Sequence, residues 1–197
     1  MKKVEIGAFA NVRRSGLIAI KIKDDDKLIW AKPTVGDDHI ELVTAMGQAI
    51  RFKETNVRDM GRNAAGVHGI RLKKQGDAVV GMGIIKSDKE KIKKYQVLAI
   101  TENGFGKRTP IGLYKVQGRG GSGIKTAKVT SKTGKLINAF IVSAESMAEK
   151  DLIIISEKGQ VIRLPFKSVS QLGRDTQGVR LMRFKEEADK VACVTWV

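Results

Sequence analysis

The sequence predicts an all-β array of four-stranded units. Three observations predict it: a pattern repeating about every 55 residues, short Val- and Ile-rich runs broken by glycine turns, and a near absence of amphipathic helical stretches. Three segments align in register. The first runs Glu41–Phe52 around Gly47, then Met60-Gly61-Arg62 to Gly66 and Arg71-Leu72. The second runs Ala99–Arg108 around Gly104, then Gln117-Gly118-Arg119 to Gly123 and Lys128. The third runs Ile155–Arg163 around Gly159, then Leu172-Gly173-Arg174 to Gly178 and Arg183-Phe184. A partial copy opens the chain, from Ser15-Gly16 to Lys21-Ile22. A small four-stranded sheet cannot bury its face alone, so neighbouring units must stack, as propeller blades do.

The first unit covers residues 1–34 and lacks its opening strand and turn, because Met1-Lys2-Lys3 aligns with Ile50-Arg51-Phe52. An unpaired strand edge near its start, inviting self-association, is the expected consequence. The second unit, 37–86, reads as strands at Ile40–Thr44, Gln48–Phe52, Gly66–Leu72 and Ala78–Ile85, with a tight turn at Met46-Gly47 joining the first two. Ser87–Lys94 lacks strand patterning and reads as a charged linker. The third unit, 92–144, repeats the plan from Val97–Thr101; the fourth, 149–197, repeats it from Leu152–Ser156 to a last strand at Lys190–Val197. Acidic or glycine turns at Asp24–Asp26, Gly76-Asp77, Gly134 and Ala188-Asp189 precede the last strands. Three full units and one truncated unit read as a piece of a longer array.

The chain of 197 residues carries 37 Lys and Arg against 21 Asp and Glu, a formal charge of +16. Charge of that size repels itself in a compact fold and points to a polyanionic partner. The lone Cys193 excludes a disulfide framework and a cysteine zinc site, and fits a reducing compartment. No apolar run approaches the ~20 residues of a membrane span. Met1–Glu5 lacks the apolar core of a signal peptide. A cytoplasmic nucleic-acid partner without membrane association fits best, although a ribosomal or membrane-surface protein shares this composition.

The basic residues recur at fixed places. Arg51, Arg108 and Arg163 each follow the turn glycine by four residues; Arg62, Arg119 and Arg174 each follow a glycine directly. Lys21, Arg71, Lys128 and Arg183 are flanked by apolar residues, and strand alternation would point the charge away from them. With Lys107, Lys125 and Arg180 beside them, these repeated residues other than Lys21 are the candidate nucleic-acid contacts. A merely solubilising surface needs only a modest net charge of either sign.

Catalytic and ligand motifs are weak by comparison. Gly118-Arg-Gly120-Gly-Ser-Gly123 matches G-x-G-x-x-G, but Ile124–Thr130 follows as a strand pattern rather than the helix a dinucleotide site needs. Gly106-Lys107-Arg108 and Gly134-Lys135-Leu136 lack phosphate-loop spacing, and Asp24-Asp25-Asp26 lacks that of a calcium loop. His39 and His68 stand without metal-ligand spacing and read as strand-surface residues. Tyr95 and Tyr114 have no accompanying base and read as structural. Without a recognition helix, and with aromatics at 5%, phosphate contact along a curved basic surface fits better than base readout.

The strings Thr101–Pro110, Tyr114–Ile124, Gly173–Leu181 and Gly61–Arg71 closely resemble the C-terminal domain of the DNA gyrase A protein, and the resemblance covers essentially the whole chain. It implies a six-bladed β-pinwheel, here incomplete at about the last four repeats, whose basic perimeter wraps duplex DNA and presents a segment for strand passage. It implies a module without catalysis or cofactor of its own inside an ATP-dependent type II topoisomerase of the bacterial cytoplasm and nucleoid. ATP and Mg would be used elsewhere in that complex. The implied partners are double-stranded DNA, the N-terminal region of gyrase A, and gyrase B. The family's signature box has a basic pair after its Gln; the box-like loop Gln117-Gly118-Arg119-Gly120-Gly121-Ser122-Gly123 has Gly118 and Ser122 where basic residues would stand. General DNA contact therefore carries over to Arg119 and its loop, but not the wrapping role of a true box. Rival readings are a protein-interaction propeller, an enzyme, and the corresponding C-terminal domain of topoisomerase IV.

Overall fold

The computed structural model describes residues 1–23 and 26–197. Asp24 and Asp25 of the expected turn lie outside the described residues. In chain order the strands are β1 (His39–Thr44), β2 (Gln48–Lys53), β3 (Val79–Ile85), β4 (Tyr95–Thr101), β5 (Phe105–Pro110) and β6 (Ile124–Lys125). They continue as β7 (Leu136–Ser143), β8 (Asp151–Ser156), β9 (Val161–Pro165), β10 (Val179–Arg180) and β11 (Val191–Trp196). The described strands form three antiparallel sheets, ordered β3-β1-β2-β6, β10-β5-β4-β7 and β11-β8-β9. The all-β class is as expected, and the row of sheets is not closed.

Each hairpin follows from its turn. At Gly47, Gly104 and Gly159 φ is 79°, 77° and 83°, so the chain reverses between β1 and β2, β4 and β5, and β8 and β9. The linker at Ser87–Lys94 contains one helical turn, α1 (Lys89–Ile92). The Asp88 carboxylate caps it, accepting from the N–H groups of Glu90 and Lys91 at 3.0 and 3.3 Å.

One expectation is corrected. Gly66–Leu72 is not a strand of its own unit's sheet. The corresponding segments of the next units, β6 and β10, add to the sheet of the unit before them: β6 pairs with β2, and β10 with β5. Every four-stranded sheet therefore takes its outer strand from the following repeat. The start also shifts by one residue. Lys3 bridges Asp59 as Arg51 bridges Val116 and Arg108 bridges Gln171, so Lys3 matches Arg51, and Met1 matches Ala49.

The cores lie between sheets. Strand alternation sends Val97 and Ala99 of β4 into one cluster with Val43, Ala49 and Ile85, and Leu98 and Ile100 into another with Leu152 and Ile154. A third cluster joins Ile40, Leu42, Ile50 and Phe52 to Met1 and Met60. The last strand of each unit faces the last strand of the next. Phe140 of β7 meets Trp196 of β11 edge to face, with centroids 4.8 Å apart. The borrowed strands occupy the opposite edge, and that edge carries the repeated cations.

Candidate nucleic-acid interface

The first set of repeated arginines points inward to the next unit. Arg51 is 5% exposed. Its Nη1 donates to the carbonyls of Ile111 and Tyr114 at 3.3 and 3.4 Å, and its Nε donates to His39 Nδ1 at 3.1 Å. Arg108 repeats the reach: Nε donates to the Val169 carbonyl at 2.6 Å and Nη2 to the Lys167 carbonyl at 3.2 Å, with the guanidinium over the Phe166 ring. Both arginines fasten the 3-10 turn of the following unit, Ile111–Leu113 or Phe166–Ser168. Arg51 is thus corrected from a surface contact to a buried clamp, and Arg108 is largely spent in the same way. Arg163, the third member, is exposed and pairs with Asp151 at 2.7 Å.

Lys107 is corrected likewise. It is 1% exposed, and its Nζ donates to the carbonyls of Gly173 and Arg174 at 2.7 and 2.6 Å and to Thr176 Oγ1 at 2.9 Å. Burial pulls its pKa down to about 8, so it remains mostly charged at neutral pH. His39 is also buried rather than on a strand surface. Burial first, then Arg51, lowers its pKa; accepting at Nδ1 places the neutral ring's proton on Nε2. Tyr114 is buried against Thr126, consistent with a structural residue.

The second set clamps backwards. Arg62 Nη1 donates to the Ile18 carbonyl at 3.4 Å, Arg119 Nη1 to the His68 carbonyl at 2.5 Å, and Arg174 Nη1 to the Lys125 carbonyl at 2.9 Å. Each accepting carbonyl lies two residues after the preceding unit's repeated glycine. In the box-like loop, Arg119 Nε also donates to the Asn56 carbonyl at 3.1 Å. The Gly120 N–H donates to the Gly69 carbonyl, and the Gln117 N–H to the Arg51 carbonyl. Gly118 and Gly121 are exposed, Ser122 is half-buried, and Gly123 leads directly into β6. The G-x-G-x-x-G string is followed by a strand.

The third set is different. Lys21, Arg71, Lys128 and Arg183 are all exposed. The backbone N–H of Lys21, Arg71 and Lys128 donates to the carbonyl of Ala64, Gly121 and Thr176, respectively, in the next unit's loop. The backbone is pinned while the side chain is left outside. Alternation holds in part: Ile70, Ala127 and Met182 are buried and Phe184 packs against a core, but Ile22 and Leu72 are 42% and 43% exposed. Lys125 and Arg180 are exposed too; Lys125 pairs with Asp175 at 3.2 Å, and Arg180 lies 5.0 Å over the Phe105 ring.

Two lysines lie outside the three repeated sets. Lys73 and Lys74 join Arg71, Gln48, Asp77 and Ser122 around a shallow cleft of about 190 Å³ between the β1–β2 turn and the box-like loop. The Lys73 position holds Lys23, Thr130 and Lys185 in the other units and so repeats its charge in three of four, whereas the Lys74 position holds Asp24, Ser131 and Glu186 and gives no such signal. The charge run Arg71-Leu72-Lys73-Lys74 is the signal that would have found them. Among the described residues no three His, Cys, Asp or Glu side chains converge as a metal site, and no helix is long and apolar enough to cross a membrane.

A family model described as DNA gyrase C-terminal domain, beta-propeller, matches residues 1–34, 38–86, 95–143 and 150–192. The DNA gyrase A protein of Staphylococcus epidermidis is 42% identical over 183 residues, 93% of this chain and 20% of the relative. That of Staphylococcus aureus is 40% identical over 187 residues, 95% of this chain and 20% of the relative. The chain thus spans about one fifth of the length of the curated relatives it matches. A solved DNA gyrase A C-terminal domain superposes with a TM-score of 0.74 at 27% identity, covering 92% of this chain and 58% of the other. The C-terminal domain of DNA topoisomerase IV superposes with a TM-score of 0.86 over 100% of this chain and 58% of its own, a likeness of fold at 24% identity. With its pinwheel of borrowed strands, its four matched blocks and its identity to gyrase A proteins along nearly its whole length, the chain belongs to the DNA gyrase C-terminal domain family.

Proposed function

We propose that this chain is the DNA-wrapping part of a gyrase A protein. It binds duplex DNA through phosphates without base preference and bends it toward the strand-passage machinery of ATP-dependent negative supercoiling. The observation that carries this reading is the row of outward cations, Lys21, Arg71, Lys128 and Arg183, presented once per repeat, the first three on a backbone pinned to the next unit's loop. Lys73, Lys74, Lys125, Arg163 and Arg180 add to that surface; Arg62, Arg119 and Arg174 support it by clamping neighbouring units. The N-terminal region of gyrase A and the whole of gyrase B are the proposed protein partners, with ATP and Mg chemistry residing there. A topoisomerase IV parent is the second reading, favoured by the fold likeness; identities of 40–42% to gyrase A proteins favour the first.

Counterion release gives the test. Each phosphate contact adds about 0.9 to the slope of log affinity against log salt, so replacing all four row cations by Ala should flatten the slope by up to ~3.6. Affinity should fall equally across DNA sequences. An unchanged slope, or a new base preference, would refute the phosphate row. Bending a ~20–30 bp site costs about 1–6 kcal/mol, which needs continuous contacts. With Gly118 and Ser122 uncharged and Arg119 occupied, this chain should bind DNA but shift plasmid topoisomers only weakly after nick ligation. A shift as strong as that of a whole gyrase A protein would overturn that part.

A further inference from the structure

The loop that clamps backwards at each junction places one more side chain beside the residue it grips. The gripped residues are Ile18, His68 and Lys125, held through their carbonyls by Arg62, Arg119 and Arg174. The residue after each clamping arginine is Asn63, Gly120 and Asp175. Of these three junctions, the one whose gripped residue is a lysine is the one whose loop carries a carboxylate. There both Asp175 oxygens lie 3.2 Å from Lys125 Nζ.

Both partners are held in place independently of that pair. Lys125 stands on β6, whose entry is fixed because a Cβ on Gly123 would collide with the Ala49 carbonyl oxygen. The Asp175 loop is pinned by Lys107 Nζ, which donates to the carbonyls of Gly173 and Arg174 and to Thr176 Oγ1. The Thr176 carbonyl also accepts from the Lys128 N–H at 3.0 Å, which ties the loop to the outward row itself. The two charged side chains are 49% and 61% exposed, so solvent and a second anion can reach them. An ion pair that open adds little to stability.

Resting on the phosphate-binding reading above, we propose that Asp175 is an affinity-setting residue. Its carboxylate occupies Lys125 where a DNA phosphate would sit, so this point of the surface engages duplex DNA only by exchanging one anion for another. When phosphate takes the lysine, the carboxylate is left bare beside it and gathers a cation in turn. The exchange therefore releases no net counterion, and DNA is held less tightly across the junction of the third and fourth units than its lysines alone imply.

Duplex-DNA affinity of the full chain, measured between about 50 and 200 mM salt, tests this. Asp175→Asn keeps the side-chain shape and should steepen the slope of log affinity against log salt by up to ~0.9. Its gain over wild type should then be up to ~3.5-fold larger at the low-salt end than at the high-salt end. Asp175→Gly, which copies Gly120 of the preceding loop, should do the same. Glu145→Gln is the control: Glu145 neutralises Lys94 at 2.6 Å in the linker after the third unit, so the substitution adds equal net charge away from the row. It should leave the slope at the wild-type value. Adding Lys125→Gln to Asp175→Asn should return the slope to wild type. Slopes are compared among proteins whose unfolding midpoints by circular dichroism match wild type. Wild type without salt-dependent binding would overturn the phosphate row and this proposal with it. Salt-dependent wild-type binding with an unchanged slope in both Asp175 variants, an equal gain from Glu145→Gln, or a gain that survives the loss of Lys125 would overturn this proposal alone.

Discussion

Glu41 offers the sharpest test of the packing. It lies on β1 opposite Arg51 of β2, is fully buried, and receives no hydrogen bond at either carboxylate oxygen among the described residues. Burial pushes its pKa up from 4.5 to about 8, opposed only in part by the Arg51 charge. The folded state therefore holds a proton that the unfolded state releases between those values. Stability from this group is complete below pH 4.5 and is lost as pH rises through 8. A shift of about 3.5 units at ~1.36 kcal/mol each corresponds to roughly 5 kcal/mol across the window. Glu41→Gln keeps the shape and removes the titration. Urea unfolding at a series of pH values should find the variant close to wild type near pH 5 and more stable by several kcal/mol near pH 9. Taking the difference at each pH cancels the other titrating groups, Lys107 included. A gap that does not change with pH would refute the reasoning.

Lys107→Met should lower unfolding stability by about 1–3 kcal/mol, because it takes the Nζ donor from the part-buried Arg174 carbonyl and leaves the Gly173 carbonyl only the Thr176 hydroxyl. At a temperature where the variant is still folded, its DNA salt slope should match wild type; a slope lower by one contact would return Lys107 to the surface. Gly123→Ala should cost at least ~1–2 kcal/mol from positive φ alone, with the Ala49 collision added, as read by denaturant midpoint. A neutral result would mean that the β2–β6 junction is looser than described.

The hairpins were legible because their signals are local. Gly47, Gly104 and Gly159 mark the turns, and Val- and Ile-rich runs flank them. The ownership of β6 and β10 was not legible. Two-residue strands carry no period, and nothing in Ile124-Lys125 distinguishes pairing with its own unit from pairing with Ala49, 124 minus 49 or 75 residues earlier. The candidate site divided along the same line. Arg51 between Ile50 and Phe52 reads like Arg71 between Ile70 and Leu72, yet one is buried and the other is exposed. The difference is the 3-10 turn that the next unit lays against Arg51, a tertiary fact that repetition cannot reveal.

The borrowed strands also set a timetable for synthesis. The outer edge of β2 waits for β6, about 75 residues downstream, and that of β5 for β10, 179 minus 106 or 73 residues downstream. At ~5–20 residues per second, each edge leaves the ribosome about 4–15 seconds before its partner exists. During that interval the nascent chain displays an open strand edge, a template for wrong pairing. Slow codons between Ala49 and Ile124 would lengthen the exposure without altering the finished fold, so the yield of native protein should depend on elongation speed in that stretch.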